Sequence, residues 1–402
     1  MRLRLLNKNP KVYIVNLPYR CQHSLIRLCF DNGRSFDSLN NKGITHLLEH
    51  CLVHGLGDFV FYSRNIYGKN SDEFTHLDIE TDKGRILLPI LRKSLETVLN
   101  FNPSQALIDR EKAEIKEEIK NEAESHEYLD NVYKLCFGEK TPYDSGYYLG
   151  NDFDKISARD LKAFYQEYII SSNLTIILGI PLFSIYPWRL LQIKNIVQNI
   201  NWPLAKNTSY APSTYSQIGL AIHDGKEKDK IFAALCFPGI PLNYDYAEKI
   251  TLASVILRII DKSQGKIKFE NICYKNNGFF YFYFFSSSLE FLKDLNTLEK
   301  IIKDLKNTPI SKEFLDFSHY NYSQQYAKPL QSPEQILNFV ENYLKTWIPS
   351  LNSQFLKKII YKIDESRFRT VANRYLDATK ANLLIIKPSS FQLDKDQIKL
   401  DF

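Results

Sequence analysis

The chain is poor in methionine and tryptophan, with one Met and three Trp in 402 residues. Its six cysteines, Cys21, Cys29, Cys51, Cys136, Cys236 and Cys273, form no C-x-x-C pair and no closely spaced framework. That excludes a disulfide-stapled secreted scaffold and leads to an expectation of reduced, mostly buried thiols in a cytoplasmic protein. Long apolar runs are also missing. The longest, residues 174–188, contains Pro181 and Pro187 and stops short of the about 18 residues a membrane helix needs. The basic N-terminus lacks the apolar core of a signal peptide, so no membrane partner is expected. Charge of one sign is scarce as well. The net charge of +6, from 52 Lys+Arg against 46 Asp+Glu, is spread along the chain. It makes no basic stripe of the kind nucleic acid requires. What is there is an ordinary globular composition, 44% hydrophobic and 24% charged, which excludes wholesale disorder.

Residues 11–30 read as two strands, KVYIVNL and SLIRLCF, around a turn. The polar loop after them gives way at Gly43 to helical spacing, with Ile44, Leu47, Leu48, Cys51 and Leu52 on one side. HLDIET (76–81) alternates like a strand. Asn102-Pro103-Ser104 separates one helix from another long one that begins at SQALIDREK. Ser157 and Asp160 have the spacing of a helix cap, and LTIILGI (174–180) reads as a buried strand. Residues 202–217 are rich in Pro, Ser, Thr and Asn and serve as the linker candidate. Beyond them the order recurs in outline: strands, a helix, the aromatic strand GFFYFYFFSS, further helices and a last strand, ANLLIIKP. Clustered rather than alternating elements favour two α+β halves, each an antiparallel sheet with helices on one face. The expected division is 1–203 and 204–402.

One motif carries chemistry. In His46-Leu47-Leu48-Glu49-His50, the two histidines lie one helical turn apart, so both imidazoles can reach one ion. Glu49 sits on a neighbouring edge, able to hold a water at that ion. A hydrolytic zinc site needs two or three such ligands, an open position for water and a base. Chance alone puts H-x-x-E-H in roughly one of a hundred chains this long. The second long helix adds carboxylates: Glu111, Glu114, Glu117, Glu118, Glu122 and Glu124. A solvated acidic face is the ordinary explanation of such a run. Projected at about 100° per residue, however, Glu111, Glu118 and Glu122 fall within or beside the apolar arc of Leu107, Ile108, Ile115 and Ile119. Glu117 and Glu124 project elsewhere, and Glu114 is marginal. Carboxylates facing a core are costly unless paired or metal-bound. A third ligand is therefore available, with Glu118 or Glu111 favoured over Glu117.

On these residues the chain resembles the pitrilysin and mitochondrial-processing-peptidase family of inverted zincins, whose mark is H-x-x-E-H. Gly43 to His50 matches G-[LI]-x-H-x-L-E-H. Glu111 followed by Glu118-Ile119 matches E-x6-E-[IV]. A third signature is matched by Thr141-Pro142-Tyr143, Gly150, Ile156 to Tyr168 and Asn173 to Gly179. The resemblance implies a clamshell of two related halves and a zinc-dependent endopeptidase. His46, His50 and Glu118 would bind Zn2+, Glu49 would be the base, and Glu111 a helper beside the ligands.

There are departures from the family pattern. The 67 residues between His50 and Glu118 are fewer than the family's usual number, the shortening falling near residues 55–74. Asn70-Ser71 is the weak remnant there of a family N-A-x-T strand. His54 stands where Phe is usual. The second half has no H-x-x-E-H and should be non-catalytic. Relatives grip substrate with an Arg and a Tyr seven residues later, in L-R-x-x-x-G-L-x-Y. Here Gly278 and Tyr281 fit, which makes Tyr281 the substrate-binding candidate, but Tyr274 replaces the Arg. The resemblance then implies the zinc subunit of a two-subunit peptidase, a heterodimer with a homologous subunit that supplies the Arg, or else a homodimer. The alternative is a non-catalytic partner subunit or assembly scaffold.

Overall fold

The structure is a computed structural model. It describes residues 3–18, 21, 23–38, 40–57, 63–82, 87–139, 141, 143–144, 149–168, 174–181, 186–202, 214–226, 229–242, 244–327, 332–346, 362–398 and 400. Most of the linker candidate, and Pro142 and Asn173 of the third signature, lie outside them. The chain divides into two compact units: residues 1–126, 142–211 and 330–343, and residues 127–141, 212–329 and 344–402.

The first unit is built on six strands among the described residues: β1 (Leu3–Lys8), β2 (Lys11–Leu17), β3 (His23–Phe30), β4 (Ser63–Asn70), β5 (Thr75–Asp82) and β6 (Leu174–Pro181). They lie in the order β1-β2-β6-β3-β5-β4. Helices α1 (Ile44–Gly57), α2 (Leu87–Leu99), α3 (Gln105–Phe137), α4 (Ala158–Tyr168) and α5 (Pro187–Gln198) accompany it. Ile26, Leu28 and Phe30 on β3, Leu77 and Ile79 on β5, and Ile176, Leu178 and Ile180 on β6 share one face with the apolar sides of α1, α2 and α5. Period-two alternation in the strands and 3.6-residue spacing in the helices meet there. The cap of α4 forms reciprocally. The Ser157 backbone N–H donates to Asp160 Oδ2 at 2.9 Å, and the Asp160 N–H donates to Ser157 Oγ at 3.3 Å.

The opposite face of this sheet sets charged residues among buried apolar ones such as Val15, Leu25 and Ile177. Arg27 on β3 and Asp78 on β5 are both fully buried and paired at 2.5 and 2.7 Å. Arg27 also donates to Glu341 at 2.6 Å, from α9 (Pro333–Thr346). Leu337 of the same helix fills the space that a side chain at Gly179 would occupy.

In the second unit the described strands are β7 (Leu220–Gly225), β8 (Ile231–Pro238), β9 (Lys268–Cys273), β10 (Gly278–Ser286) and β11 (Asn382–Pro388), in the order β7-β11-β8-β10-β9. Phe280, Phe282 and Phe284 of β10 point into a core with α6 (Tyr246–Lys262), α7 (Phe291–Asn307) and α10 (Glu365–Tyr375). Helix α8 (Lys312–Ala327) adds Phe314 to that core. The other face meets the C-terminal end of α3: Tyr128 stacks on Phe232, and Tyr133 and Phe137 meet Phe279 edge-on.

The fold is α+β, with two mainly antiparallel sheets and helices packed on them. Each sheet also holds one parallel pair, β2 with β6 and β7 with β11. In both, the last described strand of the unit returns after intervening helices to lie beside an early strand, a connection that antiparallel hairpins cannot make.

Candidate metal centre

Helix α1 is anchored before it begins. Gly43 adopts φ +94°, and a Cβ there would stand 2.6 Å from Leu149 and 3.0 Å from Phe153. Glycine alone takes that conformation in that space without strain. Asp37 accepts the backbone N–H groups of Gly43 at 2.8 Å and Thr45 at 3.2 Å, and the Thr45 hydroxyl. It thus satisfies donors that a helix start leaves open. Burial pushes the Asp37 carboxyl up to about 7 against the pull of those bonds. With Leu47, Leu48, Cys51 and Leu52 packed in the core, the rotation of α1 is set. His46, Glu49 and His50 are left on the side that faces α3 and β4.

The structure brings five of the sequence-predicted residues together. The donor atoms of His46, His50 and Glu118 all lie within 4.8 Å of one another. Glu118 Oε2 is 3.7 Å from His46 Nε2 and 3.5 Å from His50 Nε2. Zinc holds nitrogen and oxygen ligands at about 2.0–2.2 Å, so tetrahedral neighbours stand about 3.4 Å apart. The two separations fit that edge, and the N2O donor set fits the chemistry. Glu49 Oε2 is 4.0 Å from His46 Nε2. On the far side of the His50 ring, Nδ1 is 3.3 Å from Glu111 Oε2. Glu111 is buried, whereas Glu118 is half exposed.

Burial sets the charge states. It lowers His46 to about 4, helped by the neighbouring His50 and by Arg34, so the ring is neutral at ordinary pH. It pushes Glu49 up to about 7, with Glu118 adding and His50 opposing. Burial works to raise Glu111 too, but hydrogen bonds from Arg110 and His50 outweigh it and hold that carboxyl below its ordinary value.

Three participants had no sequence signal. Gly68 on β4 has no Cβ, and Glu49 fills the space where one would be. Arg110 donates to Glu111 Oε1 at 2.6 and 3.2 Å. Asp37 acts from seven residues before the helix, an offset that no capping pattern contains. Strand β4 occupies part of the segment where the sequence falls short of the family spacing. It forms the sheet edge beside α1, with Asn70 at its end. His54 is exposed near the end of α1 and belongs to neither group of donors.

Tyr274 and Tyr281 lie in the second unit and are buried. Tyr281 on β10 stacks with Phe279, and its hydroxyl has no hydrogen-bond partner among the described residues. Burial pushes that phenol well above its ordinary value.

No family model matches the sequence. No curated protein matches it either. Solved structures do resemble it. A protease from Helicobacter pylori superposes with a TM-score of 0.79 at 16% identity, covering 96% of this chain and 99% of that one. A peptidase M16 inactive domain from Pseudomonas fluorescens superposes with a TM-score of 0.76 at 13% identity, covering 98% and 99%. At these identities the likeness is one of fold. No described helix is long and apolar enough to cross a membrane.

Proposed function

We propose that this chain is a zinc-dependent endopeptidase acting on extended peptides or unfolded precursor segments. The observation that carries the reading is the convergence of His46, His50 and Glu118 within 4.8 Å, with Glu49 beside them. The peptidase folds of the two structural neighbours support the reaction class. A zinc ion held by the three ligands supplies Lewis acidity toward a water and the scissile carbonyl. Glu49 takes the proton from the attacking water and returns it to the leaving amide nitrogen. Glu111 accepts from His50 Nδ1–H and so keeps Nε2 turned to the ligand side. Among the described residues strand β4 is the last strand on its side of the sheet, next to α1, and an extended substrate pairs there through its backbone.

Tyr274 stands where a guanidinium is expected to stabilise the oxyanion, and a phenol lacks that charge. We assign that role to a homologous partner subunit. The rival reading is a non-catalytic subunit, and one structural neighbour is an inactive domain. A scaffold, however, has no need of a complete ligand set with a base beside it.

The test is metal analysis and peptide hydrolysis of Glu49→Gln beside the parent chain, each alone and with a candidate homologous subunit. The variant should retain zinc and lose hydrolysis by about 10²–10⁴-fold. Near-parental hydrolysis by the variant would overturn the mechanism. Full activity of the lone chain, unchanged by the second subunit, would overturn the two-subunit assignment.

A further inference from the structure

The His50 ring stands between two possible metal-donor groups. On its Nε2 side are His46 and Glu118. A second set of atoms close enough to hold an ion is His50, Glu111 and Glu114, with Glu111 on the Nδ1 side. A histidine at such a junction is ambiguous: either nitrogen can bind metal, and the hydrogen bond made by the other decides which. Two glutamates without a counter-charge would invite a cation to the Nδ1 side.

The structure places a cation there already. Arg110 begins the same turn of α3 and directs two guanidinium nitrogens, Nη2 and Nε, at Glu111 Oε1. Glu111 Oε2 is left for His50. Adjacent helical residues do not normally face each other, so this fork is a particular arrangement of the two side chains. Glu114, one turn on, has a carboxylate oxygen within 4.8 Å of the His50 and Glu111 donor atoms.

We propose that Arg110 is a positioning residue that selects the metal-binding register of the site. Its guanidinium takes the place a second cation would have among Glu111 and Glu114, and holds Glu111 as the acceptor for His50 Nδ1–H. A single ion is thereby confined to His46, His50 and Glu118. Arg110 itself touches neither metal nor substrate. The inference rests on the metal centre proposed above and extends it from which residues bind to why only one of two overlapping groups does.

The experiment is zinc titration followed by direct metal analysis, on the full chain and on Arg110→Met, Arg110→Lys and Arg110→Met/Glu114→Gln. Circular dichroism confirms that each is folded. The parent should saturate at one zinc per chain. Arg110→Met should take a second, weaker zinc on Glu111, Glu114 and His50 Nδ1, with the Nδ1–H proton released to solvent so that the ring can bind on both sides, and should bind the first about 10-fold less tightly, the usual scale for loss of a group supporting a ligand. Arg110→Lys keeps the charge and should stay at one zinc. Adding Glu114→Gln to Arg110→Met should remove the second ion. One zinc with unchanged affinity in Arg110→Met would overturn the proposal, as would a second zinc that survives Glu114→Gln. A parent chain that binds no zinc brings down the metal centre and this inference together. A parent that binds one zinc but cleaves no peptide counts against the peptidase reading alone.

Discussion

Gly68 on β4 lies so close to Glu49 on α1 that a Cβ at position 68 would stand 1.8 Å from the glutamate Oε1 and 2.5 Å from its carboxyl carbon. Strand β4 and helix α1 therefore share one small volume, and the glutamate has it because the strand residue has no side chain. The carboxyl is consequently buried and its proton affinity is raised, which joins the packing of a sheet edge to the chemistry of the proposed base.

Gly68→Val is expected to force Glu49 out of that space. Zinc content should be retained, since the ligands are elsewhere, while kcat falls by roughly 10²-fold or more through misplacement of the base. Parallel metal analysis and steady-state kinetics check this. A variant with normal kcat would mean that Glu49 works from another position.

The metal-free protein should show a two-sided pH dependence. Glu49 releases its proton near 4.5 when unfolded but at about 7 when folded, so it costs stability as pH rises from about 4.5 through 7, and nothing below. His46 is held down at about 4 against 6.5 unfolded, so it costs stability as pH falls from about 6.5 through 4, and nothing above. Glu49→Gln should therefore raise the melting temperature of chelator-treated protein at pH 8 and not at pH 4. His46→Gln should raise it near pH 4 and not at pH 8. Equal gains at both pH values for either variant would contradict this assignment.

Among the carboxylates of α3, zinc affinity should fall most in Glu118→Gln, which among the described residues is the one glutamate of this helix that approaches both histidines. Glu111→Gln should bind more weakly by about 10–100-fold, as expected when a ligand loses its orienting partner. Exposed Glu117 should tolerate the change. A greater loss in Glu114→Gln or Glu117→Gln than in Glu118→Gln would show that the helix presents a different face to the metal.

Glu341→Gln tests the attachment of α9. Arg27 is fully buried between Asp78 and Glu341, with His76 3.6 Å from the same glutamate. Removing one partner of a buried ion pair costs about 3–5 kcal/mol because the remaining charge stays desolvated. The first unfolding transition in urea should move to lower denaturant by that amount. Replacing Arg27 by Met and Glu341 by Leu together should cost less than the sum of the two single changes.

The local elements and the donor residues were legible in the sequence, because helical and strand periods are local properties. The one-turn spacing of His46 and His50, the heptad interval from Glu111 to Glu118 and the alternation of β3, β5 and β10 each follow from the rise and turn of a single element. Which elements meet was a different matter. Nothing local says that a strand edge with a glycine will receive Glu49, or that Arg110 will fold back on its neighbour. Nor does it say that α9, over 300 residues along the chain from β3, will cover that sheet with Glu341 on Arg27. The C-terminal end of α3 likewise leaves the unit that holds its glutamates and covers the sheet of the other. Such contacts are decided by desolvation. Buried charges must find opposite charges, and each sheet face must be covered, whatever the distance along the chain. The sequence by itself named His46, His50, Glu118, Glu49 and Glu111 as candidates, and the tertiary structure alone decided that they meet and what surrounds them, through close packing and the cost of burying unpaired charge.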